Sequence, residues 1–204
     1  DTLIDELTHW AEATTADSDV RAVVLSGAGS TFCAGADLTW MAKAVAYTED
    51  ENRADALRAS RMFGAINALP VPVIGRVHGA ALGGGAGLVS VCDIVVSEEH
   101  AVFGFTEVKL GIVPAVISPF VLAKIGRSAA RELFLTGRRF TAQHALDIGL
   151  VHTVVAPDAL DATVDGVLRE VASAGPKAMA AVKNLIATVW DATPTEAPAL
   201  TAGV

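Results

Sequence analysis

The stretch IGRVHGAALGGGAGLVSVCDIVV, residues 74–96, decides the organisation of this chain. An apolar, β-branched run at 71–77 predicts a strand before the glycine cluster at 83–85, and the apolar run at 86–92 predicts a buried helix after it. Adjacent glycines allow positive φ and a close approach of the backbone to a ligand. The turn also opens a helix, where unpaired amides and the helix dipole favour negative charge. The pattern therefore indicates a site for an anion or an oxyanion, or else only a tight turn.

Nucleotide-binding motifs fit this turn only in part. Gly83 and Gly85 supply the first two glycines of the dinucleotide fingerprint GxGxxG, but Leu88 occupies the position of the third. The phosphate-binding P-loop fails as well, because no Lys-Ser or Lys-Thr pair follows the glycines. A nucleotide phosphate is therefore not the first ligand that the turn suggests.

The composition excludes several classes of protein. The chain has 204 residues and a formal net charge of −8 without a basic tract, which disfavours nucleic acid as a partner. The longest uncharged stretch, 77–92, is too short and too rich in glycine to span a bilayer, so no membrane contact is expected. Two cysteines form no disulfide framework, and no signal-peptide pattern is present, so we expect a cytoplasmic location. No cluster of His, Cys, Asp and Glu has the spacing of a metal site.

Short apolar runs alternate with amphipathic segments, which predicts an α/β fold without internal repeats. Strands are expected at residues 20–26, 71–77, 93–97, 102–105 and 151–155. Helices are expected at residues 1–13, 38–44, 54–69, 85–92, 128–135, 141–149, 158–173 and 176–190. The other segments are expected to be a turn at 17–19, an exposed loop at 45–53, a buried loop and helix at 111–123, and a tail without periodicity after Pro194.

A second glycine-bearing loop, FCAGAD at 32–37, follows the first predicted strand and also leads into a helix. Asp37 is expected to cap that helix. Because two strand–loop–helix units recur, one backbone N–H from each loop could converge on a single oxygen. A thioester or ester carbonyl that becomes an enolate needs that arrangement.

Glu107 is the candidate acid or base. It lies shortly downstream of the glycine turn, among the apolar residues Phe103, Phe105, Val108 and Leu110. Apolar neighbours can raise the pKa of a carboxyl group toward the range in which it transfers protons. The same spacing fits equally a solvated loop residue that pairs with Lys109 or Arg131.

Four motifs in order resemble the crotonase superfamily, also called the enoyl-CoA hydratase/isomerase family: FCAGADL at 32–38, HGAALGGGAGLVSVCDI at 78–94, FGFTEVKLGIVP at 103–114 and LTGRRFTAQHALDIGLV at 135–151. The match is collinear from residue 3 to about 190. The resemblance implies a spiral of ββα units over residues 1–140 and a helical C-terminal region at 141–204 that supports trimers or pairs of trimers. It also implies an acyl-CoA thioester substrate, with coenzyme A as part of the substrate and no separate cofactor.

Carried over by position, the resemblance also assigns residues. The amides of Ala36 and Gly84 would form the oxyanion hole, and Glu107, at the end of the FG-x-x-E motif, would be the catalytic glutamate. The same motifs contain the residues that the resemblance implies in substrate binding: Ala34, Asp37, Leu38, Gly83, Gly87 and Pro114. The first three of these would lie along the coenzyme A.

The sequence departs from the family pattern at three places. Typical hydratases carry a second glutamate where this chain has Gly87; we expect this position to face the cleft and to leave room for a bulkier or branched acyl group. PAVISP at 114–119 replaces a glycine-rich run and resembles the branch that hydrates branched glutaconyl-CoA substrates. The resemblance also implies a strand pair before the first helix and a last helix after about residue 190, and the sequence pattern predicts neither.

Four functions stay open at this point. The first is hydration of the 2,3 double bond of a 2-enoyl-CoA, a lyase reaction. The second is double-bond isomerisation, in which Glu107 alone moves one proton. The third, suggested by Gly87, is a non-catalytic subunit that binds acyl-CoA or serves in assembly. The fourth, a serine peptidase related to the spiral fold, lacks a serine–histidine pair at the right loops.

Overall fold

The structure, a computed structural model, describes residues 2–14, 19–190 and 192–202. Within these residues the chain forms helices and strands that alternate as an α/β fold requires. The elements in chain order are α1 Thr2–Ala13, β1 Val23–Ser26, α2 Leu38–Ala44, α3 Glu49–Asn67, β2 Val73–Val77, β3 Ala80–Leu82, α4 Gly84–Ser90, β4 Ile94–Glu98, β5 Val102–Gly104, α5 Ser118–Thr136, β6 Arg139–Thr141, α6 Ala142–Asp147, β7 Thr153–Val155, α7 Leu160–Ser173, α8 Pro176–Trp190 and α9 Ala197–Thr201.

Two sheets position the loops of interest. The first sheet has the order β1-β2-β4-β7, and all of its strands are parallel. Its central strands β2 and β4 are largely buried, which explains why they read as continuous apolar runs. The second sheet has the order β3-β5-β6, with β3 parallel and β6 antiparallel to β5.

An aromatic cluster joins the second sheet to α5. Phe103 on β5 stacks on Phe140 of β6, with ring centroids 5.9 Å apart. Phe105, just after β5, meets Phe134 of α5 edge to face at 5.1 Å. Both Phe103 and Phe105 are fully buried, so they anchor the chain immediately before Glu107.

Several predicted boundaries are confirmed with their caps. The Asp37 carboxylate accepts a hydrogen bond from the Thr39 amide at 2.7 Å and begins α2. The Thr141 hydroxyl accepts one from the His144 amide at 3.2 Å and begins α6. Gly137 adopts a φ of 56° where α5 ends, as expected of a glycine that terminates a helix.

Other boundaries were predicted wrongly because they depend on caps or on tertiary packing. The exposed loop at 45–53 is wrong in its second half, since a capping box between Thr48 and Glu51 begins α3 at Glu49. The helix expected at 128–135 already begins at Ser118 and passes a kink at Gly126, whose φ is 71°. The tail contains the short helix α9.

Two further predictions concern the burial of the segment at 111–123 and the turn at 17–19. The segment at 111–123 is not buried throughout, because Val113 is 72% exposed. The turn expected at 17–19 lies mostly outside the described residues. In the described part of the chain, no helix is both long enough and apolar enough to cross a membrane.

Candidate active site

The two glycine-bearing loops touch each other. The Cys33 amide donates to the Ala80 carbonyl at 3.0 Å, and the Leu82 amide donates to the Cys33 carbonyl at 2.9 Å. These bonds form a parallel bridge that the sequence did not predict, since β3 itself was missed. A Cβ built on Gly85 would overlap the Cys33 carbonyl oxygen and lie 2.8 Å from the Cys33 Cβ. Only glycine permits this approach, so Gly85 makes the contact between the loops possible.

The two predicted oxyanion amides belong to residues that are close to this contact along the chain. Ala36 is three residues beyond Cys33 and exposed, and Gly84 is the first residue of α4. Neither amide donates a hydrogen bond to another atom of the described residues. A Cβ on Gly84 would meet no atom within 4 Å, so this residue faces open space. An unpaired amide at a helix N-terminus beside open space suits an oxygen that gains negative charge.

Glu107 lies against the glycine turn. It begins the 3₁₀ turn Glu107–Leu110, which follows β5 and the buried Phe105. The turn is tied to the same strand, because the Gly83 amide donates to the Gly104 carbonyl at 2.8 Å. A Cβ on Gly83, whose φ is 52°, would lie 3.4 Å from the Glu107 Oε1. The structure therefore brings the candidate acid–base group against the glycine turn.

The Glu107 carboxyl group is poorly solvated, and one of its two oxygens has no partner among the described residues. Its Oε2 is buried and has no hydrogen-bond partner among the described residues. Burial raises the pKa of the carboxyl group, and a hydrogen bond from its own amide opposes that shift. No ion pair joins Glu107 to Lys109 or to Arg131 in the described part of the chain. These features favour a proton-transferring group over a solvated ion-pair partner.

Gly87 does not leave the open space that the sequence suggested. It is buried, and a Cβ built on it would overlap the Ile117 Cγ2 and lie 3.1 Å from the Phe63 Cε1. Ile117, 3% exposed, immediately precedes α5 and fills the volume beside Gly87. The expectation of extra room for an acyl chain at this position is therefore wrong, because the residue packs against a neighbouring element.

The remaining predicted binding residues lie around the start of α2 and in the segment before α5. Ala34 and Asp37 are exposed on the loop before α2. The backbone hydrogen bond from Thr39 lowers the pKa of the Asp37 carboxyl group, which therefore serves as a charged helix cap. Leu38 begins α2, and its side chain lies outside the described atoms. Pro114 is buried between the 3₁₀ turn and α5.

Sequence reasoning missed Ile117. Its importance depends on how the segment before α5 packs against α4, and no local pattern encodes that contact. A signal was nevertheless present, because PAVISP places a bulky residue, Ile117, where the family pattern has a glycine-rich run.

Comparisons with known proteins identify the family of this chain. The chain belongs to the enoyl-CoA hydratase/isomerase family, whose sequence model matches residues 1–202. A short-chain-enoyl-CoA hydratase of Clostridium acetobutylicum is 37% identical over 83% of this chain and 65% of its own length. An enoyl-CoA hydratase of Alternaria alternata, ACTT6, is 38% identical over 90% of this chain and 60% of its own length. The chain thus spans less than two thirds of these two relatives.

Solved structures confirm the crotonase fold. An enoyl-CoA hydratase from Shewanella pealeana has a TM-score of 0.94 and 36% identity, and the match covers 100% of this chain and 76% of that protein. AtuE of Pseudomonas aeruginosa has a TM-score of 0.94 and 37% identity, with 98% and 78% of the two chains covered.

Replacing Gly84 with proline tests the oxyanion amide. Proline is accepted at the first position of a helix but has no N–H, so the change removes one donor. We expect the rate of enoyl-CoA consumption to fall by about 10²–10³. Gly84→Ala is the control, because it retains the amide and its Cβ meets no atom within 4 Å. Equal losses in the two variants would contradict a role for the N–H group.

The packing of Gly87 predicts a second effect. Gly87→Ala forces a methyl group against Ile117, and overpacking of this kind lowers the free energy of unfolding by about 1–3 kcal/mol. The double variant with Ile117→Ala should lose less than the sum of the two single variants, because the smaller residue vacates the volume. Gly64→Ala in α3 is a matched control, since a Cβ there meets no atom within 4 Å. Urea denaturation measures all four, and Gly87→Ala as stable as Gly64→Ala would refute the contact.

Proposed function

We propose that this protein is an enoyl-CoA hydratase, which adds water across the 2,3 double bond of a 2-enoyl-CoA thioester. The observation that carries the proposal is the position of Glu107. Its half-buried carboxyl group, whose Oε2 has no partner among the described residues, lies against a glycine turn, and the Gly84 amide of that turn makes no hydrogen bond within the same residues. Family membership over residues 1–202 supports the same reaction.

The chemistry assigns a separate task to each group. The amides of Ala36 and Gly84 would hold the thioester oxygen and stabilise the negative charge that it carries in the enolate. Glu107 would take a proton from water as the hydroxyl adds to C3 and would return a proton to C2 as the enolate collapses. A raised pKa suits both steps, because the group must be a base first and an acid afterwards.

Glu107 would act without a second carboxylate at position 87. Gly87 has no side chain, and Ile117 occupies the adjoining volume. The second contact to the water must therefore come from a backbone group, another side chain or the substrate. We propose a branched glutaconyl-CoA as substrate, because such a molecule carries its own distal carboxylate. The PAVISP segment at 114–119 supports this choice independently of the packing at Gly87.

Double-bond isomerisation is the second candidate. The observation that favours it is the same single carboxylate, since one base that removes a proton and returns it elsewhere needs no positioned water. Product identification separates the two reactions, because a hydratase yields a 3-hydroxyacyl thioester and an isomerase yields none.

Glu107→Gln tests the proposed reaction. The amide cannot accept the proton, so we expect hydration of crotonyl-CoA and of 3-methylglutaconyl-CoA to be abolished while acyl-CoA binding stays nearly intact. Loss of the enoyl-thioester absorbance measures the rates, and Glu170→Gln, at an exposed position of α7, is the control for the same substitution. Equal turnover by Glu107→Gln and the wild type would rule out this role. Faster hydration of crotonyl-CoA than of 3-methylglutaconyl-CoA would reject only the branched substrate.

The same variant has a predicted effect on stability. Because the folded pKa of Glu107 is raised, the wild type is stabilised below the ordinary carboxyl pKa of 4.5 and loses that contribution as pH rises through the folded value. Glutamine is neutral at every pH and loses nothing. Thermal melts should therefore show a higher Tm for Glu107→Gln at pH 7, with the difference shrinking below pH 4.5. A lower Tm at pH 7 would contradict the burial of the charge.

We also propose that the chain assembles as a homotrimer or a pair of trimers. The segment after Glu107 supports this, since Leu110, Ile112 and Val113 expose 57%, 46% and 72% of their surfaces. Light scattering should give three or six times the chain mass of 21.0 kDa, and Val113→Lys should weaken the assembly. A wild-type monomer at micromolar concentration would contradict the proposal.

A further inference from the structure

Trp40 presents a buried indole N–H that no described protein atom accepts. Its Nε1 is enclosed, and it makes no hydrogen bond within residues 2–14, 19–190 and 192–202. An indole N–H can only donate, so it needs an acceptor. Buried polar groups in folded proteins are nearly always paired, and an unpaired one therefore points to a missing partner.

Two other buried polar side-chain atoms have no partner in the described part of the chain, but each of them has an explanation that Trp40 lacks. The Glu107 Oε2 belongs to the proposed proton-transfer group. The Asp55 Oδ2 lies on a carboxylate whose other oxygen pairs with Arg58 at 3.2 Å, so its charge is compensated. The indole of Trp40 has neither explanation.

The position of Trp40 places it next to the oxyanion loop. It is the third residue of α2, which begins two residues after Ala36. Its Cα therefore lies within about 5 Å of the start of the helix along the axis. The Asp37 cap holds that start, and the bridge from Cys33 to Ala81 holds the loop before it. The ring is only partly buried and packs into neither hydrophobic core cluster.

We propose that Trp40 determines acyl specificity, because its indole N–H donates a hydrogen bond to an oxygen acceptor on the acyl chain beyond the thioester. The inference rests on the proposed function in one respect, that the ligand is an acyl-CoA. A carboxylate is the acceptor that we expect, since hydrogen bonds to charged oxygens are shorter and stronger than neutral ones. A straight apolar chain would leave the N–H unpaired, and a site built for a polar group rejects a ligand that lacks it.

Equilibrium binding of two saturated thioesters tests this role. Glutaryl-CoA and pentanoyl-CoA have acyl chains of equal length, but only the first ends in a carboxylate, and neither can be hydrated. Calorimetric titration should give a Kd at least about tenfold lower for glutaryl-CoA with the wild type, the size of one charge-assisted hydrogen bond. Trp40→Phe keeps an aromatic ring without the N–H, so the ratio of the two Kd values should fall toward one. Trp10→Phe, in α1, is the matched control and should keep the wild-type ratio.

Three results would overturn the inference. If the wild type binds both thioesters equally, the site does not select for a polar acyl chain. If Trp40→Phe leaves the ratio of the two Kd values unchanged, the indole N–H does not cause the selection. Equal weakening of both ligands together with a lower Tm would make Trp40 a structural residue. Because the titration needs no turnover, a protein that binds both thioesters with the expected ratio but hydrates no enoyl-CoA loses the proposed reaction and keeps this inference.

Discussion

The close approach of Gly85 to the Cys33 carbonyl is the contact on which the site depends. It holds the loop after β1, from the parallel sheet, against the first turn of α4, which follows β3 of the second sheet. A side chain at position 85 would separate the loops, and the amides of Ala36 and Gly84 would move apart with them. The same turn is bonded through Gly83 to β5, the strand that leads to Glu107. One backbone contact thus relates both candidate donors to the candidate acid–base group.

A second packing contact explains why position 87 holds no side chain. Ile117 fills the volume beside Gly87, so positions 87 and 117 have to be considered together. A glutamate introduced at 87 would overlap Ile117 unless that residue became smaller. Among the described residues, Glu107 is the carboxyl group that lies against the glycine turn, and its raised pKa follows from burial and not from a second charge.

The sequence predicted much of this arrangement because its signals are local. The glycine turn, the Asp37 cap and the apolar surroundings of Glu107 are all visible within a few residues, and the structure brings these segments together. The family resemblance added the order of the motifs and the fold. The space at Gly87 was predicted wrongly, because the neighbour that fills it is thirty residues away in sequence. The start of α3 was predicted too late, because the polar residues at 48–53 are typical of a loop while the capping box of Thr48 and Glu51 begins the helix at Glu49. The coenzyme A contacts of Ala34, Asp37 and Leu38 stay predictions.

The most direct measurement is a crystal structure with acetoacetyl-CoA, a thioester that resembles the enolate and has no double bond to hydrate. We predict that the thioester oxygen lies within about 3 Å of the amide nitrogens of both Ala36 and Gly84. We also predict that the Glu107 carboxyl group lies next to C2 and C3 of the acyl chain. A complex in which the two amides point apart, or in which Glu107 turns away from the acyl chain, would contradict the proposed site.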